Sequence, residues 1–204
     1  MSELIDAIAR GEVPPDASFD RHLPEALAGV SGLFWTPVAV ALQAARWLDE
    51  RGVATVCDVG SGAGKLCVVA ALASRCRFVG LEHRAHLVVA ARALAETFGV
   101  GDRVVFVDGA LDPTTLPIAD AYYLFNPFGE NVAPDEEHLD EVVELSEARH
   151  ARDVAAMVTF LARAPVGTHA LVYNGFGAAM PAGYASVRVD LERPHVLRLW
   201  RRVE

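Results

Sequence analysis

The chain has 204 residues, of which 52% are hydrophobic and 22% charged, and its formal net charge is −9. This balance excludes a disordered polymer and suffices for one α/β domain with a sizeable core. No apolar run reaches the roughly 18 residues a membrane span requires, and no long basic stripe exists, so neither a membrane nor a nucleic acid is the expected main partner. Eight acids fall between Glu130 and Glu147 with no Lys or Arg among them, which leaves about −1 for the rest of the chain. The acidic, polar start Met1-Ser2-Glu3-Leu4-Ile5-Asp6 is unlike a signal peptide. Cys57, Cys67 and Cys76 are odd in number, lack metal-type spacing and read as buried reduced thiols. A cytoplasmic location is expected.

Pro14-Pro15 and Pro24 interrupt the first forty residues. Thr36-Pro37 then starts a helix over Val38 to Leu48, with Thr36 as N-cap and Pro37 at the first helical position, and Arg51-Gly52 closes it. From there strands and helices alternate. The pattern predicts a strand over Thr55–Val59 and a helix over Lys65–Ser74, then a strand over Arg77–Leu81 and a helix over Ala85–Phe98. Strands follow at Val104–Val107 and Ala121–Phe125. A helix from Glu147 to Arg163, capped by Ser146, precedes a strand at His169–Tyr173. The runs Ser186–Leu191 and Val196–Arg202 flank the turn Glu192-Arg193-Pro194-His195 too closely for a helical crossover, so they predict an antiparallel hairpin. The expected fold is α/β and Rossmann-like: a seven-stranded, mostly parallel sheet with helices on both faces and a C-terminal hairpin. No domain boundary is evident, so residues 1–204 read as one domain. Residues 1–50 would form an N-terminal helical or lid segment on a core of 51–204.

In such sheets ligands sit beyond the carboxyl ends of the strands. The first strand ends in Asp58-Val59-Gly60-Ser61-Gly62-Ala63-Gly64-Lys65, a glycine turn that exposes bare backbone and aims helix N–H groups at a ligand. The second ends at Glu82-His83, and its carboxylate can accept two hydrogen bonds from a ribose diol. The third ends at Asp108-Gly109-Ala110, where Asp108 can accept from an exocyclic amine. The fourth ends at Asn126-Pro127-Phe128-Gly129. A dinucleotide fingerprint needs its third glycine at position 65, which is Lys65, and no Gly-Lys-Ser/Thr of a phosphate loop is present.

Asp58 with Gly60, Gly62 and Gly64 instead resembles motif I of the class I S-adenosylmethionine-dependent methyltransferases. The resemblance implies that the acid and glycines handle the methionine part of the cofactor, that Glu82 binds the ribose and that Asp108 contacts adenine. Ser61, Lys65, His83, Gly109 and Ala110 are carried along as cofactor-binding residues, with Asn126 shared between cofactor and acceptor. Asn126-Pro127-Phe128 is similar to the motif IV region of amine-directed members, although it lacks their second proline. Phe34-Trp35-Thr36-Pro37, Tyr123-Leu124-Phe125-Asn126-Pro127-Phe128 and Tyr173-Asn174-Gly175-Phe176-Gly177 look like a bacterial subgroup of such proteins. Trp35 and Thr36 are expected to line the cofactor pocket, or else to staple and cap the first long helix.

The expected function is methyl transfer from S-adenosylmethionine to an amine. Asn126 and the Pro127 carbonyl would aim the nitrogen lone pair, and Phe128 would pack over the acceptor. A small-molecule acceptor is expected before a protein, and a protein before RNA. An oxygen acceptor would call for a base such as His83, His138, His150, His169 or His195, none in a diagnostic context. No metal site is expected. The alternatives are a nicotinamide-dependent oxidoreductase, which Lys65 disfavours, and a non-catalytic cofactor-binding module. The acidic stretch 130–147 is a solvated surface or a lid favouring a cationic acceptor.

Overall fold

The computed structural model describes every residue except Arg193, so that position of the predicted 192–195 turn lies outside the described residues. Five segments rich in β-branched and aromatic residues pair in parallel: β1 (Thr55–Val59), β2 (Arg77–Glu82), β3 (Val104–Asp108), β4 (Ala121–Phe125) and β5 (His169–Tyr173). The hairpin β6 (Tyr184–Asp190) and β7 (Leu197–Arg202) completes a sheet of order β3-β2-β1-β4-β5-β7-β6, with β7 antiparallel to β5 and a bulge between Ser186 and Arg188. The expected seven-stranded architecture is therefore observed. Strand order reverses between β1 and β4, which opens the crevice at their carboxyl ends.

Alternation along each strand separates two cores. Val56, Phe78, Phe106, Tyr123, Leu171 and Tyr173 face one side. There they pack under α5 (Val38–Glu50), α6 (Lys65–Ala73) and α7 (Ala85–Thr97). Cys57, Val59, Tyr122, Leu124, Ala170 and Val172 face the other and meet Met157 and Leu161 of α8 (Glu147–Arg163). The second face is thinner than expected. The β3–β4 crossover, residues 109–120, contains no helix, and Val105 on the edge strand is left 58% exposed.

Four short helices precede α5: α1 (Ser2–Ala9), α2 (Asp16–Asp20), α3 (Glu25–Gly29) and α4 (Ser31–Phe34). They are held on the sheet's helical face by a buried cation. Lys65, only 2% exposed, donates from Nζ to Asp16 Oδ1 (2.6 Å), Asp20 Oδ1 (2.7 Å) and Ser31 Oγ (3.1 Å). Phe19 stacks on Phe98 at 4.7 Å between centroids. Asp16 Oδ1 also accepts from the Val38 amide (2.9 Å). The cap of α5 is thus supplied from 22 residues upstream, and Pro37 occupies the cap position. Thr36 is not the N-cap expected for this helix: its hydroxyl is paired with the buried Tyr123 hydroxyl at 3.0 Å. The Ser146 cap of α8 is present, accepting from the Arg149 amide at 3.1 Å.

Candidate functional site

A cavity of about 550 Å³ lies over the carboxyl ends of β1, β2, β4 and β5. This is within the size range of small-molecule sites, roughly 300–1,000 Å³. Its floor is the glycine turn. Gly62 has φ +53°, and a β-carbon there would stand 2.7 Å from Trp35 Cε3, so only glycine admits the indole over the turn. Trp35 is itself held by Nε1 donating to the Leu27 carbonyl (2.9 Å). A β-carbon on Gly60 would lie 3.2 Å from Pro127 Cβ, so the turn after β4 touches the turn after β1. Gly64 serves packing instead: a β-carbon there would come within 2.6 Å of Phe106 and 2.9 Å of Ala91.

Glu82 closes the turn. Its Oε2 accepts from the Gly62 amide (2.9 Å) and its Oε1 from the Arg84 amide (2.9 Å). A carboxylate offers about four acceptor positions, so two remain for a ligand diol. Behind the turn, a small polar recess is lined by Thr36, Asp58, Lys65 and Tyr123. Burial raises the Asp58 carboxyl to about 7, the Cys67 thiol opposes the rise from 3.4 Å, and the Glu82 charge adds to it.

A network of charges forms the far wall. Arg84 clamps Glu130 in a two-pronged pair (2.8 and 3.0 Å) and reaches Asp140 through Nε (2.9 Å). Glu130 Oε1 also accepts from the Leu139 amide (2.8 Å). The acidic stretch is thereby tied down across the cavity: two of its acids are paired with Arg84 and are not a free anionic surface. Arg149 of α8 donates through Nη2 to His83 Nδ1 (2.6 Å) and pairs with Asp153 (3.2 Å). Burial, together with the Arg149 and Arg84 charges, pushes His83 below its ordinary value, while Glu82 and Glu130 oppose the shift. Both ring nitrogens face arginine donors, Nδ1 that of Arg149 and Nε2 the Arg84 Nη1 at 3.3 Å, with Glu82 Oε1 3.7 Å from Nε2.

The structure brings together Trp35, Gly60, Gly62, Glu82, His83, Gly109, Ala110, Asn126, Pro127 and Phe128 around the cavity. It does not bring in every predicted residue. Lys65 is spent on the N-terminal segment, away from the large cavity. Ser61 turns its hydroxyl toward Gly80 and uses its amide on the Leu81 carbonyl (2.9 Å). Asp108 is exposed at the sheet edge, while Gly109 and Ala110 after it reach the cavity. Thr36 and Asp58 line only the recess. Phe128 is buried among Val59, Leu81 and Leu124 and touches the cavity from the core.

The sequence matches no family model and no curated protein sequence. Solved structures do match. One is an RNA methyltransferase from Salinibacter ruber in complex with S-adenosyl-L-homocysteine, 24% identical over 83% of this chain and 94% of that one, with a TM-score of 0.55. A putative O-methyltransferase from Klebsiella pneumoniae is 13% identical over 99% of this chain and 97% of that one, TM-score 0.60. MtNAS, solved with MTA and tNA, is 12% identical over 98% of this chain and 71% of that one, TM-score 0.56. The fold is that of the class I methyltransferases.

Within that class I fold, the residues unforeseen from the sequence are Arg84, Arg149, Asp153 and Asn174. The first three lie on elements whose meeting is set by tertiary packing, and no local pattern announces it. Asn174 has a signal. It ends β5 as Asn126 ends β4, and both adopt left-handed backbone, φ +58° and +40°, uncommon for a residue with a side chain. The Asn126 amide N–H donates to the Gly175 carbonyl (3.0 Å), zipping the two turns together. Among the described residues no group of three or more His, Cys, Asp or Glu side chains is placed to hold a metal, and no helix is long and apolar enough to cross a membrane.

Proposed function

We propose that this chain binds S-adenosylmethionine across the glycine turn and transfers its methyl group to an amine nitrogen of a small molecule. The observation that carries the reading is the contact between the Gly60 turn and Pro127, because it puts a cofactor cradle and an acceptor turn on one wall. The residues fit the cofactor. Gly60 and Gly62 leave bare backbone, Glu82 keeps acceptor capacity for a ribose, and the Asp58 recess is polar where a charged amino-acid tail would enter. When bound, S-adenosylmethionine supplies an electrophilic methyl on a sulfonium. The protein's part is then mainly placement.

Asn126 and Pro127 supply that placement. The Asn126 amide folds over Gly129, where a β-carbon would come within 2.7 Å of its Cγ, so the residue pair fixes the side chain at the cavity floor. Its oxygen and the Pro127 carbonyl accept hydrogens from an amine and leave the lone pair facing the cradle. Both are amide acceptors rather than bases, which suits nitrogen better than a hydroxyl. Neighbouring folds include an RNA methyltransferase and a putative O-methyltransferase. The cavity's two arginines, Arg84 and Arg149, are already engaged by acids, which supports a small molecule over RNA.

Titration calorimetry with S-adenosylmethionine, S-adenosylhomocysteine and NAD tests the cofactor: the first two bind, NAD does not. Transfer of labelled methyl into fractionated cell extract tests the reaction, with Asn126→Ala expected to lose it. Binding of NAD alone, or transfer unchanged in Asn126→Ala, overturns the reading.

A further inference from the structure

The cavity has two chemically different ends. Five of its ionisable groups, Glu82, Arg84, Glu130, Arg149 and Asp153, belong to the network around His83. The wall built from the ends of β4 and β5 and from the β6–β7 turn is different. Among the described residues it contributes rings and amides to the cavity, and its only titratable side chains are the Tyr173 phenol and the His195 imidazole. Three rings meet there: Phe125 and Tyr173 at 4.8 Å between centroids, Tyr173 and His195 at 5.4 Å, Phe125 and His195 at 6.5 Å. Aromatic contacts of this spacing favour tilted and edge-to-face neighbours, and the three interplanar angles are 47°, 70° and 44°. Phe34 lines the same cavity from the N-terminal segment.

We propose that this wall is the acceptor subsite, and that it takes a flat, uncharged heteroaromatic amine with Asn174 as the specificity-determining residue. The word acceptor rests on the methyl-transfer reading above. The rings pack on one another, with Tyr173 buried behind the half-buried Phe125 and the exposed His195, so they offer an apolar surface at Phe125 and His195 and not an open cage around an ammonium. At the other end Glu130 is paired with Arg84, Asp153 with Arg149, and Glu82 accepts from two backbone amides; the remaining acid of the cavity, Glu137, comes from the exposed acidic stretch and not from this wall. A polyanion finds no unengaged Lys or Arg in the cavity among the described residues. Asn174 stands at the edge of the wall, exposed, with its left-handed backbone held beside Asn126 by the Asn126–Gly175 hydrogen bond. Its amide offers both a donor and an acceptor to a ring substituent. Holding a non-glycine residue in that conformation costs energy, and such cost collects at binding sites.

The test is an NMR titration of the full chain, with and without S-adenosylhomocysteine, using four probes: 5-aminoindole, plain indole, cyclohexylamine and a short uridine RNA. 5-Aminoindole is expected to bind and to shift the ring signals of Tyr173 and His195, with plain indole weaker and cyclohexylamine and the RNA much weaker. His195→Ala removes an exposed ring and weakens 5-aminoindole about tenfold, the size of one aromatic contact. Asn174→Gly keeps the left-handed backbone and removes the amide, so it erases the preference for 5-aminoindole over plain indole. Equal binding of cyclohexylamine or RNA, shifts confined to other residues, or both variants binding like wild type would overturn the proposal. The titration without cofactor tests the wall by itself, so a failure of S-adenosylhomocysteine to bind counts against the methyl-transfer reading alone.

Discussion

The Trp35 indole lies directly on the Cα of Gly62, the middle glycine of the turn. That contact joins the N-terminal segment to the glycine turn, and it makes the glycine obligatory twice over, by space and by its φ of +53°. Gly62→Ala should therefore destabilise the fold by about 2 kcal/mol and abolish S-adenosylhomocysteine binding. Trp35→Leu in the same chain relieves the steric part and leaves the backbone part. Urea denaturation of the single and double variants measures both, and equal stability of wild type and Gly62→Ala would show that the indole does not press on the turn.

Lys65 is a buried charge with two carboxylate partners. Lys65→Met strands Asp20, itself nearly buried, and should cost about 3 kcal/mol. Asp16 is half exposed and loses less. Adding Asp20→Asn to Lys65→Met should recover part of the loss, because the stranded charge is then gone. The comparison of urea midpoints decides it.

The raised Asp58 carboxyl predicts a pH dependence. The native state keeps a proton between the ordinary carboxylate value and about 7, where the unfolded chain has lost it. The native state thus binds more protons in that window, and stability falls as pH rises through it, by at most about 1.4 kcal/mol per pH unit, then levels above about 7. Binding of the cationic donor favours the ionised form, so affinity should rise with pH from 6 to 8, by up to about tenfold per unit below the titration point. Asp58→Asn flattens both curves. Denaturation and calorimetry across that range are the measurements, and parallel curves for wild type and variant would refute the assignment.

Arg84 ties the acidic stretch across the cavity through Glu130 and Asp140. In Arg84→Met the Leu139 and Val142 amides, which donate to those two carboxylates, should exchange with solvent about tenfold faster. The core strands should be unaffected. Hydrogen exchange read by mass spectrometry localises the change. No change at Leu139 would mean that the segment is held by its own turns.

The fold was legible because its signals are local. Periodicity located all seven strands, and the ends of the first four parallel strands announced their own polar or glycine-rich residues. The lining of the cavity was legible where it is backbone, at Gly60, Gly62 and the Asn126 turn. It was not legible where a side chain's partner comes from far along the chain. Thr36-Pro37 has the local form of a helix start, yet Asp16 takes the Val38 amide and Thr36 turns to Tyr123. Lys65 sits in the motif by position, yet its ammonium is drawn to acids 45 and 49 residues upstream. The acidic run likewise shows its charge in the sequence and hides the arginine that pairs with Glu130 and Asp140, Arg84, which comes from beyond the end of β2.

The anchoring of the first helices has a consequence for how the molecule is made. Ile8 and Phe19 are buried against groups that follow them in the chain, Phe19 on a ring as far along as Phe98. A nascent chain emerging from its N-terminus exposes these apolar residues before either α6 or α7 exists to receive them. This segment, which precedes α6 and α7 in the chain, must dock after they have formed. Its aspartates, Asp16 and Asp20, are charges without their buried partner until the Lys65 ammonium arrives, and they then latch the segment in place.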